Sequence, residues 1–455
     1  MEPIFSLSVV DGRYSSKTTP LAKIFSEAAL ISNRITVEVK YLLLLAKYGV
    51  TRLISAKEKK LLLSFCEPSL EQLKKVKQIE SKIHHDVKAI EYFLRESIQN
   101  TSLEDLSPFL HFGITSEDIN NLAYRLMISR SIKQILVPHL AQLLTSLTQL
   151  AEKNADQPML ARTHGQSAIP TTFGKEVAVY VARLIPLINQ ISKHNFFGKF
   201  NGAVGGYQAL ATAYPEKNWL AISQEFVESF GLKFLPLSTQ INPQDDLVDL
   251  FQKLQHLNLI LIGLNQDIWR YISDDWLVQT VTKDNVGSST MPQKVNPIDF
   301  ENSEGNLKMA NGLLCVFINN FPTSRLQRDL SDSTIQRNIG TSFAHCLLAY
   351  QALIKGLSKI KVNKAKMKQD LTANWNILAE AAQTMARKNG DQAAYEKIAS
   401  LAKNKTMDKN DWRKMIKEID EKLLNLNPQN YLGLSVSLTK DTVKKSYQLL
   451  KEIQS

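Results

Sequence analysis

Cysteine, glycine and proline are all scarce in this sequence. Its 455 residues include three cysteines, 18 glycines and 15 prolines. Few glycines and prolines favour helices over turn-rich β structure. An odd number of cysteines, far apart and without metal-ligand spacing, is typical of reduced thiols in a cytoplasmic protein. We therefore expect no metal site, and we expect Cys66, Cys315 and Cys346 to be buried.

Long apolar runs are missing as well. The densest run covers residues 41–45 and stops before Lys47, far short of the roughly 20 residues that span a bilayer. The N-terminus carries Glu2 and shows no basic region followed by an apolar stretch, so a signal peptide is not expected. These absences predict a cytoplasmic protein without a membrane partner.

A basic excess is present but is not concentrated. The net charge is +11, from 55 lysines and arginines against 44 aspartates and glutamates. A nucleic-acid-binding protein would cluster basic residues with aromatic ones. Here they follow predicted helix faces and are densest at 57–60, 361–368 and 402–415. This spread favours a solvated basic surface and no nucleic-acid partner. An electrostatic field that attracts polyanionic small substrates is expected only at the active site.

Helical periodicity runs through most of the chain, which is long enough for two or three domains. Apolar residues at helical spacing predict helices over 21–48, 70–99, 118–154, 171–195, 245–280, 303–320 and 341–360. The longest carries a stripe typical of a bundle core: Leu247, Leu250, Phe251, Leu254, Leu257, Leu261, Leu264 and Ile268. After residue 361 the chain is lysine-rich and less periodic, which indicates a smaller helical C-terminal domain.

Residues 287–297 read GSSTMPQKVNP and separate two of these helices. Two prolines, a glycine and small hydroxyl residues predict an exposed loop. Such a loop can direct backbone N–H groups, serine hydroxyls, Lys294 and Asn296 at one carboxylate. A plain interhelical linker is the alternative, but prolines on both sides restrict the backbone and so aim these two side chains.

The loop resembles the signature loop of the fumarase/aspartase superfamily, whose pattern is roughly GSSxMPxKxNP. Residues 298–306 narrow the resemblance to the bacterial adenylosuccinate lyases. It implies a cofactor-free enzyme of purine nucleotide biosynthesis that eliminates fumarate from adenylosuccinate, giving AMP, and from SAICAR, giving AICAR. It also implies that Ser288 is the base, although a serine hydroxyl needs a lowered pKa, which nearby Lys294 would favour. Gln293 departs from the histidine often found there.

His164 has the setting that argues most for chemistry among the histidines. Thr163-His164-Gly165-Gln166 precedes Pro170 and cannot lie inside a helix, so we expect the chain to change direction here. An imidazole can hold or release a proton near neutral pH. The motif resembles that of purine-type lyases, which implies that His164 is the general acid.

A second histidine motif lies in the predicted helix over 70–99. A histidine beside an acid on a helix is more often an ordinary histidine than a catalytic one. The family resemblance nevertheless implies that His85 and Asp86 contact substrate, with His85 orienting the acid. His84 departs from the family pattern, and we include it among the candidate contacts.

Thr115, three residues before Asp118, predicts the N-cap of a helix. The free N–H groups and the positive dipole end at a helix start also suit a carboxylate. Capping and carboxylate binding are compatible interpretations. The resemblance to the family's TSxD motif implies that Thr115 and Ser116 hold a carboxylate of the substrate.

Residues 325–337 interleave three arginines with two aspartates, which suggests ion-paired capping, with Arg337 pairing Asp329 or Asp332. The resemblance instead directs arginines at a nucleotide phosphate, for which their planar, two-pronged donors are suited. The further substrate contacts that it implies are Arg13, Tyr14, Gln240, Ser289, Lys294, Val295, Asn296, Asn302, Arg328, Ser333, Thr334, Ile335, Gln336 and Arg337.

The resemblance implies an all-α, long-helix bundle at 112–362, flanked by smaller helical domains at 1–111 and 363–455. It also implies a homotetramer whose active sites draw residues from several subunits. Argininosuccinate lyase or fumarase activity is an alternative, but those substrates carry no phosphate for the arginine cluster. A non-catalytic relative is another, which the presence of both His164 and Ser288 disfavours.

Overall fold

The computed structural model describes residues 2–280, 291, 293–403, 405–417 and 419–454, the side chain of residue 454 excepted. Helices dominate these residues and confirm the predicted all-α class. The helices are α1 Ser15–Phe25, α2 Glu27–Lys47, α3 Ala56–Ser64, α4 Leu70–Ile83, α5 Asp86–Ile98, α6 Ser116–Ser131, α7 Val137–Lys153, α8 Phe173–Ser192, α9 Gln208–Ala213, α10 Trp219–Glu228, α11 Asp245–Ser273, α12 Ile298–Asn320, α13 Ser331–Gln336, α14 Ile339–Lys359, α15 Lys364–Thr372, α16 Ala379–Lys388, α17 Ala394–Ala402, α18 Lys409–Lys417 and α19 Ser435–Gln454.

The chain forms two compact units, each assembled from three segments. The first unit comprises Met1–Pro138, Gln190–Asn258 and Asn306–Leu348, and the second comprises His139–Asn189, Leu259–Gly305 and Ala349–Ser455. The division into domains at 1–111, 112–362 and 363–455 groups residues by position along the chain and stays a prediction.

The predicted helix over 21–48 is two helices, α1 and α2, which meet at Ser26. This residue is extended, with φ −65° and ψ 160°, and its hydroxyl accepts the Ala29 N–H at 3.3 Å. A capping side chain offers the backbone an alternative to the helical bond, which ends one helix and starts the next. Leu30, Ile31 and Ile35 of α2 are then buried.

The predicted helix over 70–99 is also two helices, because α4 ends at Ile83 and α5 begins at Asp86. His84 lies between them in the left-handed region, with φ 54°. His85 is extended, and its Nδ1 accepts the Lys88 N–H at 3.1 Å, which caps α5. The motif that looked helical in sequence therefore forms a junction, and Asp86 stands in the first turn of a helix.

The long helix α11 carries the core stripe as predicted. All eight apolar residues of the stripe are buried, with at most 2% of each exposed. The 29 residues of α11 give a length of about 44 Å at 1.5 Å per residue. The helix is shorter than the predicted 245–280 because the chain turns at Asp275, which has φ 57°.

Three small sheets accompany the helices in the described residues. Strands β1 (Pro158–Thr163) and β2 (Gln166–Thr172) form an antiparallel hairpin in the second unit. Strands β3 (Phe197–Gly198) and β4 (Lys233–Phe234) pair in parallel in the first unit. Strands β5 (Leu277–Gln279) and β6 (Ile360–Val362) pair antiparallel in the second. The hairpin and the β5–β6 pair were not predicted.

The prediction of three buried thiols is correct only for Cys346. Cys66 is half-buried and Cys315 is exposed, and none of the three thiols forms a disulfide. Cys315 lies on α12 between Leu314 and Phe317, whose side chains are buried. At 100° per residue these neighbours turn Cys315 away from the core face.

Neither a membrane span nor a metal cluster is found in the described part of the chain. None of its helices combines the length and the apolar character that crossing a membrane requires. Nor do its histidines, cysteines and acidic residues gather in groups of three or more that could hold a metal ion.

Candidate active site

His164 stands at the tip of the β1–β2 hairpin in the second unit. Thr163 and Gln166 are paired across the hairpin, so His164 and Gly165 form its two-residue turn. Both turn residues have positive φ, 52° and 74°, as the tight hairpin turns require. The predicted change of direction at His164 is confirmed, and the side chain of His164 is exposed.

Arg162 braces this hairpin tip. Its Nη1 donates to the Gly165 carbonyl at 3.4 Å, and its Nε lies 3.7 Å from Asp274 Oδ2. Its guanidinium also lies 5.5 Å from the centre of the Trp276 ring. Trp276 is 2% exposed, and its indole N–H donates to Asp370 at 2.8 Å. Arg162 therefore links the backbone turn that carries His164 to the buried ring of Trp276.

The described residues of the signature loop, 291 and 293–297, belong to the same unit, whereas Ser288 and Ser289 lie outside the described residues. Lys294 and Val295 are exposed, Asn296 is half-buried, and Asn302 lies exposed on α12. Gln279 Nε2 donates to the Val295 carbonyl at 3.2 Å, which links the strand before the loop to its far end.

A second anchor joins the loop ends to the end of α14. The Thr280 N–H donates to the Lys359 carbonyl at 2.7 Å, and Lys359 Nζ lies 2.5 Å from Asp299 Oδ2. Thr280 precedes the loop and Asp299 follows it. These contacts hold the residues on either side of the loop that carries Lys294 and Asn296 against the end of α14.

In the first unit, Asp86 forms ion pairs with two arginines. Arg34 Nη2 lies 2.7 Å and Arg337 Nη2 lies 3.2 Å from Asp86 Oδ2, while the Val87 N–H donates to Oδ1 at 2.9 Å. Burial opposes ionisation of this carboxyl, but Arg34, the Val87 N–H and Arg337 together lower the pKa of Asp86. Asp86 is therefore a charged group, and Nδ1 of the exposed His85 lies 3.9 Å from its other oxygen.

The capping interpretation of this segment proposed that Arg337 pairs with Asp329 or Asp332. Arg337 forms neither of these ion pairs. It donates to Ser333 Oγ at 2.9 Å and pairs with Asp86. Asp329 does act as a cap: the Ser331 hydroxyl and the N–H groups of Ser331 and Arg325 lower its pKa to about 2. The capping interpretation therefore holds for Asp329 and is wrong for Arg337, while the phosphate contact of Arg337 stays a prediction.

The N-terminal turn and Arg337 border one cavity. This cavity of about 260 Å³ is lined by Asp11, Thr18, Ser26, Arg337 and Thr341 together with apolar side chains. The exposed Arg13 lies with its guanidinium 5.9 Å from the centre of the Tyr14 ring. The meeting of Arg13 with Ser333 and Arg337 on one phosphate stays a prediction.

Arg328 and Gln240 are brought together. Arg328 Nη1 lies 3.0 Å from Glu117 Oε1 and donates to Gln240 Oε1 at 3.3 Å. Gln240 Nε2 donates to the Ala203 carbonyl at 2.9 Å. Gln336, in contrast, is buried and lies 3.5 Å from Asp332, while Thr334 is exposed and Ile335 half-buried on the same short helix α13.

The helix cap predicted at Thr115 is present. The Thr115 N–H donates to Asp118 Oδ2 at 2.9 Å at the start of α6. Thr115 and Ser116 are half-buried there, which leaves part of the helix N-terminus accessible. The carboxylate that the resemblance assigns to them stays a prediction.

Sequence reasoning missed Arg34, Glu117 and Arg162. Glu117 lies inside the TSxD motif and had a local signal, because a carboxylate in a binding motif calls for a partner. Arg34 lies within a predicted amphipathic helix, where nothing local marks it. Arg34 Nε donates to Asn120 Oδ1 at 2.9 Å, and Asn120 Nδ2 donates to Glu117 Oε1 at 3.0 Å. Only the fold brings these residues to the candidate site.

Known structures share this fold. A fumarate lyase from Mesorhizobium sp. BNC1 superposes with a TM-score of 0.79 at 18% identity, covering 94% of this chain and 97% of that one. A 3-carboxy-cis,cis-muconate lactonizing enzyme from Pseudomonas putida gives 0.78 at 20% identity, covering 95% and 97%. The family model described as Lyase matches residues 12–312. The class is thus a lyase of the long-helix type.

Full-length relatives narrow the class. The model described as Adenylosuccinate lyase C-terminal matches residues 324–432. Adenylosuccinate lyases from Legionella pneumophila (strain Corby), Haemophilus influenzae and Escherichia coli (strain K12) are 43%, 42% and 40% identical, covering 96% of this chain and 98% of each relative. The chain belongs to the adenylosuccinate lyase family.

The buried Asp332 should make stability depend on pH. Burial first, then the charge of Glu117, raises its pKa to about 6, with Arg328 opposing in part. The unfolded value is about 4, so ionisation of Asp332 costs stability as pH rises from 4 to 6. Asp332→Asn should therefore raise the free energy of unfolding over that of the wild type by about 2–3 kcal/mol at pH 8 and by about 1 kcal/mol at pH 4.5, measured by urea unfolding.

Asp329→Asn is the matched control, from the same segment. The pKa of Asp329 is lowered to about 2. The stability that its ionised carboxylate contributes is therefore lost only as pH falls below about 4. The difference between this variant and the wild type should stay constant from pH 4.5 to 8. A gain from Asp332→Asn that is equally independent of pH would contradict the assignment.

Proposed function

We propose that this protein cleaves adenylosuccinate to AMP and fumarate, and SAICAR to AICAR and fumarate, in purine nucleotide biosynthesis. The observation that carries the proposal is the 40–43% identity to adenylosuccinate lyases over nearly the whole chain. The pairing of Arg337 with Ser333 at 2.9 Å also supports it, because such a pair suits a phosphate group.

The direct test is the change in ultraviolet absorbance when purified protein meets adenylosuccinate, with argininosuccinate and malate as comparison substrates. We expect turnover of adenylosuccinate only. Argininosuccinate and malate lack a nucleotide phosphate and would leave the arginine cluster unused. Turnover of either in place of adenylosuccinate would assign the chain a sister activity, and no turnover at all would favour a non-catalytic role.

His164 is the general acid of the proposed reaction. A β-elimination needs a base for the C–H beside a carboxylate and an acid for the leaving nitrogen. His164 is exposed at a braced hairpin tip, so its ring can approach the leaving group. Ser288 is proposed as the base by family resemblance. Lys294 and Asn296 would stabilise the negative charge that grows on the carboxylate.

Residues of the first unit are proposed to bind the phosphate, the succinyl part and a carboxylate of the substrate. Arg337, Ser333 and Arg13 would bind the phosphate. Arg328 and Gln240 would contact the succinyl part. The accessible N-terminus of α6 would receive a carboxylate at Thr115 and Ser116. The family resemblance implies further substrate contacts at Tyr14, His84, His85, Asp86, Ser289, Val295, Asn302, Thr334, Ile335 and Gln336.

We also propose that the protein is a cytoplasmic homotetramer with active sites shared between subunits. The long helices support this because they expose large apolar side chains. Leu259 and Trp269 of α11 are 56% and 43% exposed, and Met309 and Val316 of α12 are 56% and 44% exposed. Apolar surface of this kind is typical of a face that another subunit covers.

His164→Ala should lower turnover by about 10²–10⁴-fold, the usual contribution of a positioned proton donor. Substrate binding should survive, because the variant removes the acid and leaves the residues proposed to bind the nucleotide. His256→Ala, which removes an exposed histidine of α11, is the control and should keep its turnover. Near-normal turnover by the His164 variant would remove this residue from the mechanism.

Arg337→Leu should weaken AMP binding by about ten- to a hundredfold, since a charge-assisted bond to phosphate contributes about 1.5–3 kcal/mol. Fumarate binding should be nearly unchanged, because fumarate has no phosphate. Arg325→Leu is the control: its side chain is 83% exposed and lies 3.8 Å from Asp329. Calorimetry with both ligands decides, and equal losses for AMP and fumarate would reject the phosphate assignment.

A further inference from the structure

Arg34 is a buried arginine that forms an ion pair with Asp86, one of the candidate site residues. It lies on α2 with 2% of the residue exposed. Its Nη2 lies 2.7 Å from Asp86 Oδ2, the same oxygen that Arg337 Nη2 approaches at 3.2 Å. The side chain of Arg337, in contrast, is 47% exposed. One carboxylate therefore stands between a buried guanidinium and an accessible one.

The formal charges of this group leave a positive excess. Two guanidinium groups and one carboxylate sum to +1. Glu27, the acid in the first turn of α2, has its own partner in Lys77 at 3.1 Å. Without Arg34, Asp86 and Arg337 would form a neutral pair, and the carboxylate would both occupy Arg337 and repel an anion.

We infer that Arg34 is a positioning residue for anion binding: by neutralising Asp86, it leaves the charge of Arg337 available to the phosphate of a nucleotide. This inference rests on the proposed function and extends it to a residue that need not touch the ligand. Asp86 then orients the guanidinium of Arg337 without cancelling it. The Arg34–Asn120 bond at 2.9 Å holds the buried group in place.

Charge and geometry can be separated with two substitutions at position 34. Arg34→Gln removes the charge and should weaken AMP binding about tenfold or more, the effect of losing one charge-assisted interaction. Arg34→Lys keeps the charge but cannot repeat both hydrogen bonds, and it should keep AMP affinity within about threefold of the wild type. Fumarate affinity should stay unchanged in both variants. The measurement is titration calorimetry of the full-length protein with AMP and with fumarate.

A double variant gives the sharper result. Arg34→Gln combined with Asp86→Asn removes one charge of each sign and returns the group to +1. It should therefore recover AMP affinity relative to Arg34→Gln alone, whereas a purely structural role would make the double variant worse. Arg95→Gln is the control, since it removes a 2.7 Å ion pair with Glu91 on α5 outside this group and should leave AMP binding intact.

The outcomes separate the inference from the function on which it rests. Equal loss of AMP affinity in Arg34→Gln and Arg34→Lys, or no recovery in the double variant, would overturn the charge assignment. Loss of fumarate binding alongside AMP binding would do the same. If Arg34→Gln does not fold, Arg34→Lys still decides, because a tenfold loss there contradicts the inference. A wild type that neither cleaves adenylosuccinate nor binds AMP would remove the proposed function as well.

Discussion

The buried charge of Asp118 is the constraint on which the candidate site of the first unit depends. Its carboxylate is fully buried and lies 2.9 Å from Lys199 Nζ, which is fully buried too. It also accepts the N–H groups of Thr115, Asn201 and Gly202 at 2.9–3.1 Å. A buried carboxylate is unfavourable without such partners. The segment after β3, which supplies Lys199, Asn201 and Gly202, must therefore pack against the N-terminus of α6.

Several chain segments converge on the candidate site because polar groups that leave water need partners. The segment after β3 supplies the Ala203 carbonyl that holds Gln240, and Gln240 in turn accepts from Arg328. Glu117 and Asn120 extend this hydrogen-bonded series to Arg34 on α2. Groups from helices far apart in sequence are thus held in one arrangement, so that little reorganisation is left for ligand binding.

In the second unit, backbone geometry holds the candidate site residue in place, whereas in the first unit buried charges do so. His164 occupies a left-handed position in a two-residue turn, which presents its ring at an exposed tip. The brace from Arg162 to Trp276 stabilises this unusual backbone from below. The reaction proposed for this chain needs a proton donor that is both accessible and held in place, and a short hairpin braced by Arg162 meets both conditions.

The sequence by itself determined the helical class, the core stripe of α11, the turn at His164 and the cap at Thr115, because each depends on residues close together in the chain. It did not determine the breaks at Ser26 and at His84–His85, where the side chains of Ser26 and His85 cap a new helix and interrupt an otherwise periodic pattern. Only the tertiary structure decided that Asp86 lies between Arg34 and Arg337. Long-range ion pairs have no periodicity, and their partners are selected by burial in the folded chain.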